Sequence, residues 1–115
     1  MENINNKSVQ WHKAIKANEV PENGGVAVLI DGKQIAIFNF TVKGEWYACQ
    51  NLCPHKQEMA LARGLIGDLN GEPKIACPFH KKSFSLESGA CLNDDLCNID
   101  VYPVKIEEDF VYIGL

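Results

Sequence analysis

Two short cysteine and histidine pairs constrain this chain more than any other feature of its sequence. The first pair is Cys53 with His55, and the second is Cys77 with His80, with 21 residues between the two pairs. In each pair the cysteine comes first, and a proline follows it directly. Proline fixes φ and stiffens the turn at that point. The spacing therefore predicts two tight loops that direct four side chains toward one metal site.

The mixed composition of the pairs favours one kind of metal site over another. Common zinc spacings place two cysteines close together and two histidines close together, whereas here each loop holds one of each. A [2Fe-2S] cluster can be held by two cysteines on one iron and two histidines on the other. We therefore predict that Cys53 and Cys77 bind one iron and that His55 and His80 bind the other. A zinc site on the same four residues and a site without metal are the alternatives.

Short strands separated by turns predict an all-β fold. The run Val26–Ile30, the dipeptide Asp31-Gly32 and the run Gln34–Phe38 indicate a hairpin. Pro103 lacks an N–H for the ladder, so its strand is expected at a sheet edge or a bulge. Many short strands at close spacing are typical of an antiparallel sandwich or a small barrel. One helical turn is expected, over Gln57–Arg63. The other predicted strands are Glu45–Gln50, Pro73–Ala76, Phe84–Leu86, Ala90–Leu92, Val101–Ile106 and Phe110–Ile113.

Length and composition limit the possible functions. With 115 residues, 46% hydrophobic and 23% charged, the chain matches one globular domain over residues 1–115. The net charge of -4 argues against nucleic acid as a partner, because phosphate binding requires an excess of Lys and Arg. We expect a cytoplasmic protein without a membrane partner, because the sequence shows neither an apolar run of spanning length nor a signal peptide. Five cysteines, an odd number, fit metal ligands plus reduced thiols better than a disulfide scaffold.

Several other side chains could carry chemistry, and most are expected to be structural. Cys49 lies in an alternating strand and is predicted to be a packed thiol, while Cys91 and Cys97 receive no function. A nucleophilic cysteine enzyme is disfavoured, because both paired histidines are committed to metal. No phosphate-binding fingerprint indicates a nicotinamide or flavin site. Four aromatic residues are expected in the core rather than as redox relays: Trp11, Trp46, Tyr47 and Phe84.

Basic residues surround the predicted site although the chain is acidic. Lys56, Lys81 and Lys82 flank the two histidines, and Arg63 and Lys74 lie in the interval between the pairs. They indicate a positive rim that docks an acidic surface. Solvated lysines on exposed loops are the alternative.

The sequence around the pairs resembles the Rieske [2Fe-2S] superfamily and, within it, the small subunit of assimilatory NAD(P)H-dependent nitrite reductase. The likeness rests on the Cys-x-His and Cys-x-x-His patterns and on the stretches Arg63–Asp68 and His80–Leu86, and it covers about Ser8 to Leu115. It implies a Rieske-like antiparallel β-sandwich with a small cluster-binding subdomain, whose loops lie at about residues 50–90. It also implies a large catalytic subunit as partner, which carries FAD, [4Fe-4S] and siroheme and reduces nitrite to ammonia in nitrate assimilation.

The resemblance gives this chain an electron-transfer or accessory role in an oxidoreductase, without a complete active site of its own. Two other functions stay open. One is a free-standing Rieske ferredoxin of a ring-hydroxylating oxygenase system. The other is a non-redox binding module that holds zinc or no metal.

The chain departs from high-potential members of the superfamily at both loops. Those proteins join an extra cysteine from each loop in a disulfide, but here Phe79 stands at that place and the first loop has no cysteine besides Cys53. They also carry a hydroxyl two residues beyond the second histidine, where this chain has Lys82, with Ser83 next. Fewer hydrogen bonds to the cluster sulfurs lower the reduction potential. We therefore predict a disulfide-free cluster of low potential, over which Phe79 packs to exclude water.

Overall fold

A computed structural model describes residues 10–41, 44–54, 58–79, 82–92 and 98–115. Regular structure in these ranges consists of short strands and two 3-10 helices, Ala17–Glu19 and Leu61–Arg63. Each strand pairing there is antiparallel, which confirms the all-β fold predicted from the sequence. The strands are β1 (Trp11–Lys16), β2 (Gly24–Ile30), β3 (Lys33–Phe40), β4 (Glu45–Gln50), β5 (Leu52–Cys53), β6 (Glu58–Met59), β7 (Leu65–Leu69), β8 (Glu72–Ala76), β9 (Ser83–Ser85), β10 (Val101–Tyr102), β11 (Val104–Glu107) and β12 (Phe110–Gly114).

The strands form four sheets, and strand β3 lies at the centre of their packing. The sheet orders are β1-β12-β11, β10-β4-β3-β2, β5-β6 and β7-β8-β9. Successive side chains of a strand point to opposite faces, so Ile35 and Ile37 enter one core while Ala36 and Phe38 enter another. β3 is therefore buried on both faces and joins two cores.

We name the two cores by their position. The rear core lies between β3 and the β1-β12-β11 sheet and contains Val20, Ile30, Ile35, Ile37, Ala48, Val111 and Ile113. The ligand-side core lies between β3 and the β7-β8-β9 sheet and contains Ala36, Phe38, Phe40, Cys49, Cys53, Leu61, Ala62, Ile75, Cys77, Phe84, Leu86 and Ile99. Both predicted cysteine ligands thus lie in the same core.

The elements that were predicted most accurately are those specified by neighbouring residues, such as turn dipeptides. In the β2-β3 hairpin, Asp31 and Gly32 adopt φ of 51° and 79°, as a tight primed turn requires. The predicted strand Glu45–Gln50 matches β4 at both ends. The expected helical turn is confirmed only over Leu61–Arg63, a 3-10 helix, because Glu58–Met59 form strand β6, and Gln57 lies outside the described residues.

The predicted strand Val101–Ile106 is wrong as one element, because the chain changes sheets at Pro103. Residues before it pair with β4 as β10, and residues after it pair with β12 as β11. Both segments are edge strands, as expected for a strand that contains proline. The carbonyl of Pro103 still accepts a hydrogen bond from the N–H of Gly114, at 2.9 Å. Pro103 therefore links two sheets.

Other elements differ from the prediction. Strands β1 and β7 and the helix Ala17–Glu19 were not predicted, and Trp11, expected in the core, is 42% exposed. The predicted return strand Ala90–Leu92 is reduced to one bridge, between Phe84 and Cys91. No helix in the described part of the chain is both long and apolar enough to cross a membrane.

Candidate metal centre

The first ligand loop begins at the end of strand β5. Cys53 is the last residue of that strand and pairs with Glu58, the first residue of β6. Its side chain is fully buried. Four residues, 54–57, connect the paired positions, and the predicted ligand His55 is among them, outside the described residues.

The second ligand loop begins at the end of strand β8. Ala76 pairs with Ser83 of β9, and the N–H of the next residue, Cys77, donates to the carbonyl of Lys82 at 2.9 Å. The Cys77 side chain is 1% exposed. Again four residues, 78–81, connect the paired positions, and the predicted ligand His80, among them, lies outside the described residues.

The two loops are therefore built alike, with a cysteine just before a four-residue connection between antiparallel partners. Both cysteines are buried in the ligand-side core, so the fold brings Cys53 and Cys77 to one region from two separate loops. The described residues alone contain no group of three metal-ligating side chains, since the predicted set is completed by His55 and His80. Two buried thiols on matched loops suit an iron-sulfur cluster, which is held by cysteine thiolates and whose reduction potential depends on solvent exposure.

The 3-10 helix Leu61–Arg63 connects the two loops through close packing at glycines. A methyl group on Gly64, directly after the helix, would lie 2.1 Å from the carbonyl oxygen of Ala76. A methyl group on Gly25 of β2 would lie 2.9 Å from the carbonyl oxygen of Ala62. The helix that follows the first loop is thus packed between β2 and the residue that precedes Cys77. Sequence reasoning missed this role, because an isolated glycine does not reveal which distant backbone it approaches.

Cys49 is the third buried thiol of the ligand-side core. It lies on β4 opposite Ala36 and Val101 and is fully buried. Burial raises the pKa of its thiol well above the ordinary value, so it stays protonated. This confirms the predicted packed thiol. Cys91 is half-buried opposite Phe84, and Cys97 lies outside the described residues.

The surface next to the two loops combines apolar and basic side chains. Phe79 is 49% exposed, and the guanidinium carbon of Arg63 lies 5.9 Å from the centre of its ring. Met59, on β6, and Leu65, which pairs with Ala76, are 46% and 76% exposed. The packing of Phe79 over a cluster stays a prediction. Among the predicted rim residues, Lys56 and Lys81 lie outside the described ranges.

Two matched loops that each present a buried cysteine suit a β-protein of the iron-sulfur class. A comparison with protein families identifies that class: a family model described as a Rieske-like [2Fe-2S] domain matches residues 10–114. The chain belongs to this family.

Within the family, the relatives that match along nearly their whole length include two kinds of protein. The nitrite reductase (NADH) small subunit of Salmonella typhimurium is 30% identical over 104 residues, which cover 90% of this chain and 96% of that protein. The ferredoxin component of the naphthalene 1,2-dioxygenase system of Pseudomonas aeruginosa is 38% identical over 107 residues, or 92% and 96% of the two chains. A solved structure of an NADH-dependent nitrite reductase small subunit from Mycobacterium tuberculosis has a TM-score of 0.86 at 29% identity and covers 93% and 96%.

Much longer proteins also match. The chain is 39% identical over 117 residues to the nitrite reductase [NAD(P)H] of Emericella nidulans, which covers 94% of this chain and 10% of that protein. It spans 11% of the nitrite reductase [NAD(P)H] large subunit of Klebsiella oxytoca. The domain is therefore similar both to separate small proteins and to a small part of large ones.

Proposed function

We propose that this chain is the small subunit of a cytoplasmic NAD(P)H-dependent nitrite reductase and takes part in the reduction of nitrite to ammonia. The observation that carries the proposal is its whole-length similarity to proteins named as nitrite reductase small subunits, in sequence and in fold. The matches to larger nitrite reductases support the same function. Reduced buried thiols such as Cys49 suit a cytoplasmic location.

In this proposal, residues 1–115 form one Rieske-like domain, and four side chains hold a [2Fe-2S] cluster. Cys53 and Cys77 hold one iron, and His55 and His80 hold the other. When bound, the cluster supplies one-electron transfer. The ligand-side core excludes water from the two cysteines, which are 0% and 1% exposed. The two loop bases fix the direction of both cysteines through the Cys53 and Glu58 pairing and the bond from Cys77 to Lys82.

The partner in this proposal is a large catalytic subunit that carries FAD, [4Fe-4S] and siroheme. The exposed apolar side chains Met59, Leu65 and Phe79 and the cation Arg63 lie beside the ligand loops. An apolar centre with a charged rim is typical of protein interfaces. We therefore place the docking surface on these residues and expect an acidic surface on the large subunit.

Binding to the large subunit should weaken steeply as salt increases. Charge reversal by Lys81→Glu with Lys82→Glu should weaken binding and flatten its salt dependence, because complementary charges steer the encounter. Binding isotherms at several ionic strengths measure both effects. Lys13→Glu with Lys16→Glu, both exposed on β1 in the β1-β12-β11 sheet, is the matched control and should keep the salt dependence. An unchanged slope in the loop variant would show that these lysines are only solvated.

Purification of the tagged chain from its own cells tests the function directly. The expected result is a large siroheme protein that reduces nitrite with NADH or NADPH, together with about two irons and about two acid-labile sulfides per small chain. Equimolar zinc without sulfide would refute the cluster. A cluster without the siroheme partner would refute the subunit assignment alone.

A ring-hydroxylating oxygenase ferredoxin is the second candidate, and the 38% identity to a dioxygenase ferredoxin component favours it. Such a protein would share the four ligands and would accept electrons from a separate reductase. Co-purification with a reductase and an oxygenase, rather than with a siroheme protein, would support this candidate.

We predict a low reduction potential for the cluster. Phe79 replaces the disulfide cysteine of high-potential relatives, and Lys82 replaces their hydroxyl, so the sulfurs should receive fewer hydrogen bonds. The midpoint is expected at about -150 mV or below, the lower end of the Rieske range. A redox titration followed by visible absorption measures it, and Lys82→Ser should raise it. A wild-type midpoint well above zero would contradict the prediction.

A further inference from the structure

A buried polar residue, Asn51, lies two positions before the first predicted ligand and is 3% exposed. It accepts hydrogen bonds from three consecutive backbone N–H groups at the start of the 3-10 helix. Its carbonyl accepts from Ala60 at 2.9 Å and from Leu61 at 3.1 Å, and its side-chain Oδ1 accepts from Ala62 at 2.7 Å. N–H groups at a helix start have no acceptor within the helix. One residue from another segment therefore supplies all three acceptors.

The two donor groups of Asn51, its backbone N–H and its side-chain amide, both bind Gln34 of strand β3. Its backbone N–H donates to the carbonyl of Gln34 at 3.0 Å, and its Nδ2 donates to Oε1 of the same residue at 3.0 Å. The backbone and side chain of Asn51 thus connect β3 with the helix. Cys53 lies inside segment 52–59, whose two flanking residues, Asn51 and Ala60, bind each other.

We propose that Asn51 is a positioning residue for the metal centre. Its side chain joins Ala62, at the helix that follows the first loop, to Gln34 of β3, and so fixes the direction from which Cys53 presents its thiolate. The proposal rests on the ligand role of Cys53 and holds for a nitrite reductase subunit and for a ferredoxin alike. Residues that orient metal ligands typically change metal affinity or activity by about 10- to 100-fold when replaced.

Asn51→Ala in the full chain tests the proposal, with wild type as reference. The variant should release iron to a chelator about 10- to 100-fold faster, and visible circular dichroism of the cluster should change. Hydrogen exchange of the peptide over residues 60–64 should accelerate more than that of β12. Asn51→Asp keeps an acceptor for the N–H of Ala62, so it should restore much of the protection in residues 60–64.

Ser85→Ala is the matched control, because it removes another buried polar side chain away from the first loop. The Ser85 hydroxyl accepts from the N–H groups of Glu87 and Ser88 at 3.1 and 3.2 Å. This variant should keep the iron-release rate and the exchange of residues 60–64 near wild type. Equal effects of Asn51→Ala and Ser85→Ala, or an unchanged iron-release rate in Asn51→Ala, would overturn the proposal.

Gln34→Ala decides the question if Asn51→Ala does not fold. It removes only the acceptor of Nδ2 and leaves the three bonds to the helix. Gln34→Ala should release iron faster than wild type and Ser85→Ala, and more slowly than Asn51→Asp. An iron-release rate equal to that of Ser85→Ala would overturn the proposal. Failure of the ligand assignment is distinguishable, because it appears as cluster retention in Cys53→Ser, whereas exchange at residues 60–64 measures the hydrogen bonds at the helix start.

Discussion

Replacement of Cys77 with serine is expected to abolish the cluster. Cys77 is buried in the ligand-side core, and its N–H closes the second loop on Lys82, so its side chain is held at the base of that loop. Iron and acid-labile sulfide should fall from about two each per chain to near zero. Cys53→Ser should give the same loss, because the other loop has the same construction. Elemental analysis and visible absorption of the purified proteins measure the result.

Cys49→Ser provides a stringent control, because Cys49 belongs to the same core and undergoes the same chemical change. Burial keeps the pKa of the Cys49 thiol high, which suits a packed thiol and not a ligand thiolate. This variant should lose about 1–2 kcal/mol of unfolding free energy, since it buries a hydroxyl, and should retain iron and sulfide. Loss of the cluster in Cys49→Ser alone would show that the ligand assignment is wrong.

The parts of the fold that could be predicted are those specified by neighbouring residues. Asp31-Gly32 specifies the β2-β3 hairpin because its turn requires positive φ, and the turn dipeptide Lys43-Gly44 followed by an aromatic-rich run indicates β4. The sheet change at Pro103 could not be predicted, because proline indicates only that the ladder is interrupted. The prediction that Trp11 lies in the core was wrong because residue type alone does not show which face of a strand is covered. An aromatic residue on a strand is usually buried, but β1 leaves this one on an outer face.

The candidate site also has a part that the sequence predicts and a part that only the tertiary structure shows. Spacing alone predicts the two cysteines as ligands, because metal chemistry restricts which residue types stand together. Asn51 and Gly64 could not be found, since each acts on backbone groups that are near in space and not in sequence. The likeness of the two loop bases also emerges only from the register of β5 with β6 and of β8 with β9. Sequence thus predicts the ligands, and tertiary structure shows which contacts hold the two cysteines.

Gly64→Ala is expected to be among the most damaging substitutions outside the ligands. A methyl group there would lie 2.1 Å from the carbonyl oxygen of Ala76, far inside contact distance. Ala76 cannot move away freely, because β8 is paired with β7 on one side and with β9 on the other. We expect a loss of about 3 kcal/mol in unfolding free energy, at the upper end for overpacking. Urea unfolding with and without cluster measures it.

The same substitution should also affect the metal centre, because Ala76 directly precedes Cys77. Any shift of the helix away from β8 moves the first loop, and any shift of β8 moves the second, so the two cysteines can no longer approach one cluster in the same geometry. Gly67→Ala on β7 is the matched control, since its methyl group would lie 3.6 Å from the nearest atom, Cε of Lys74. It should change stability by no more than about 0.5 kcal/mol and leave iron content unchanged. If Gly64→Ala kept both stability and iron, contact between the helix and β8 would not be what aligns the loops.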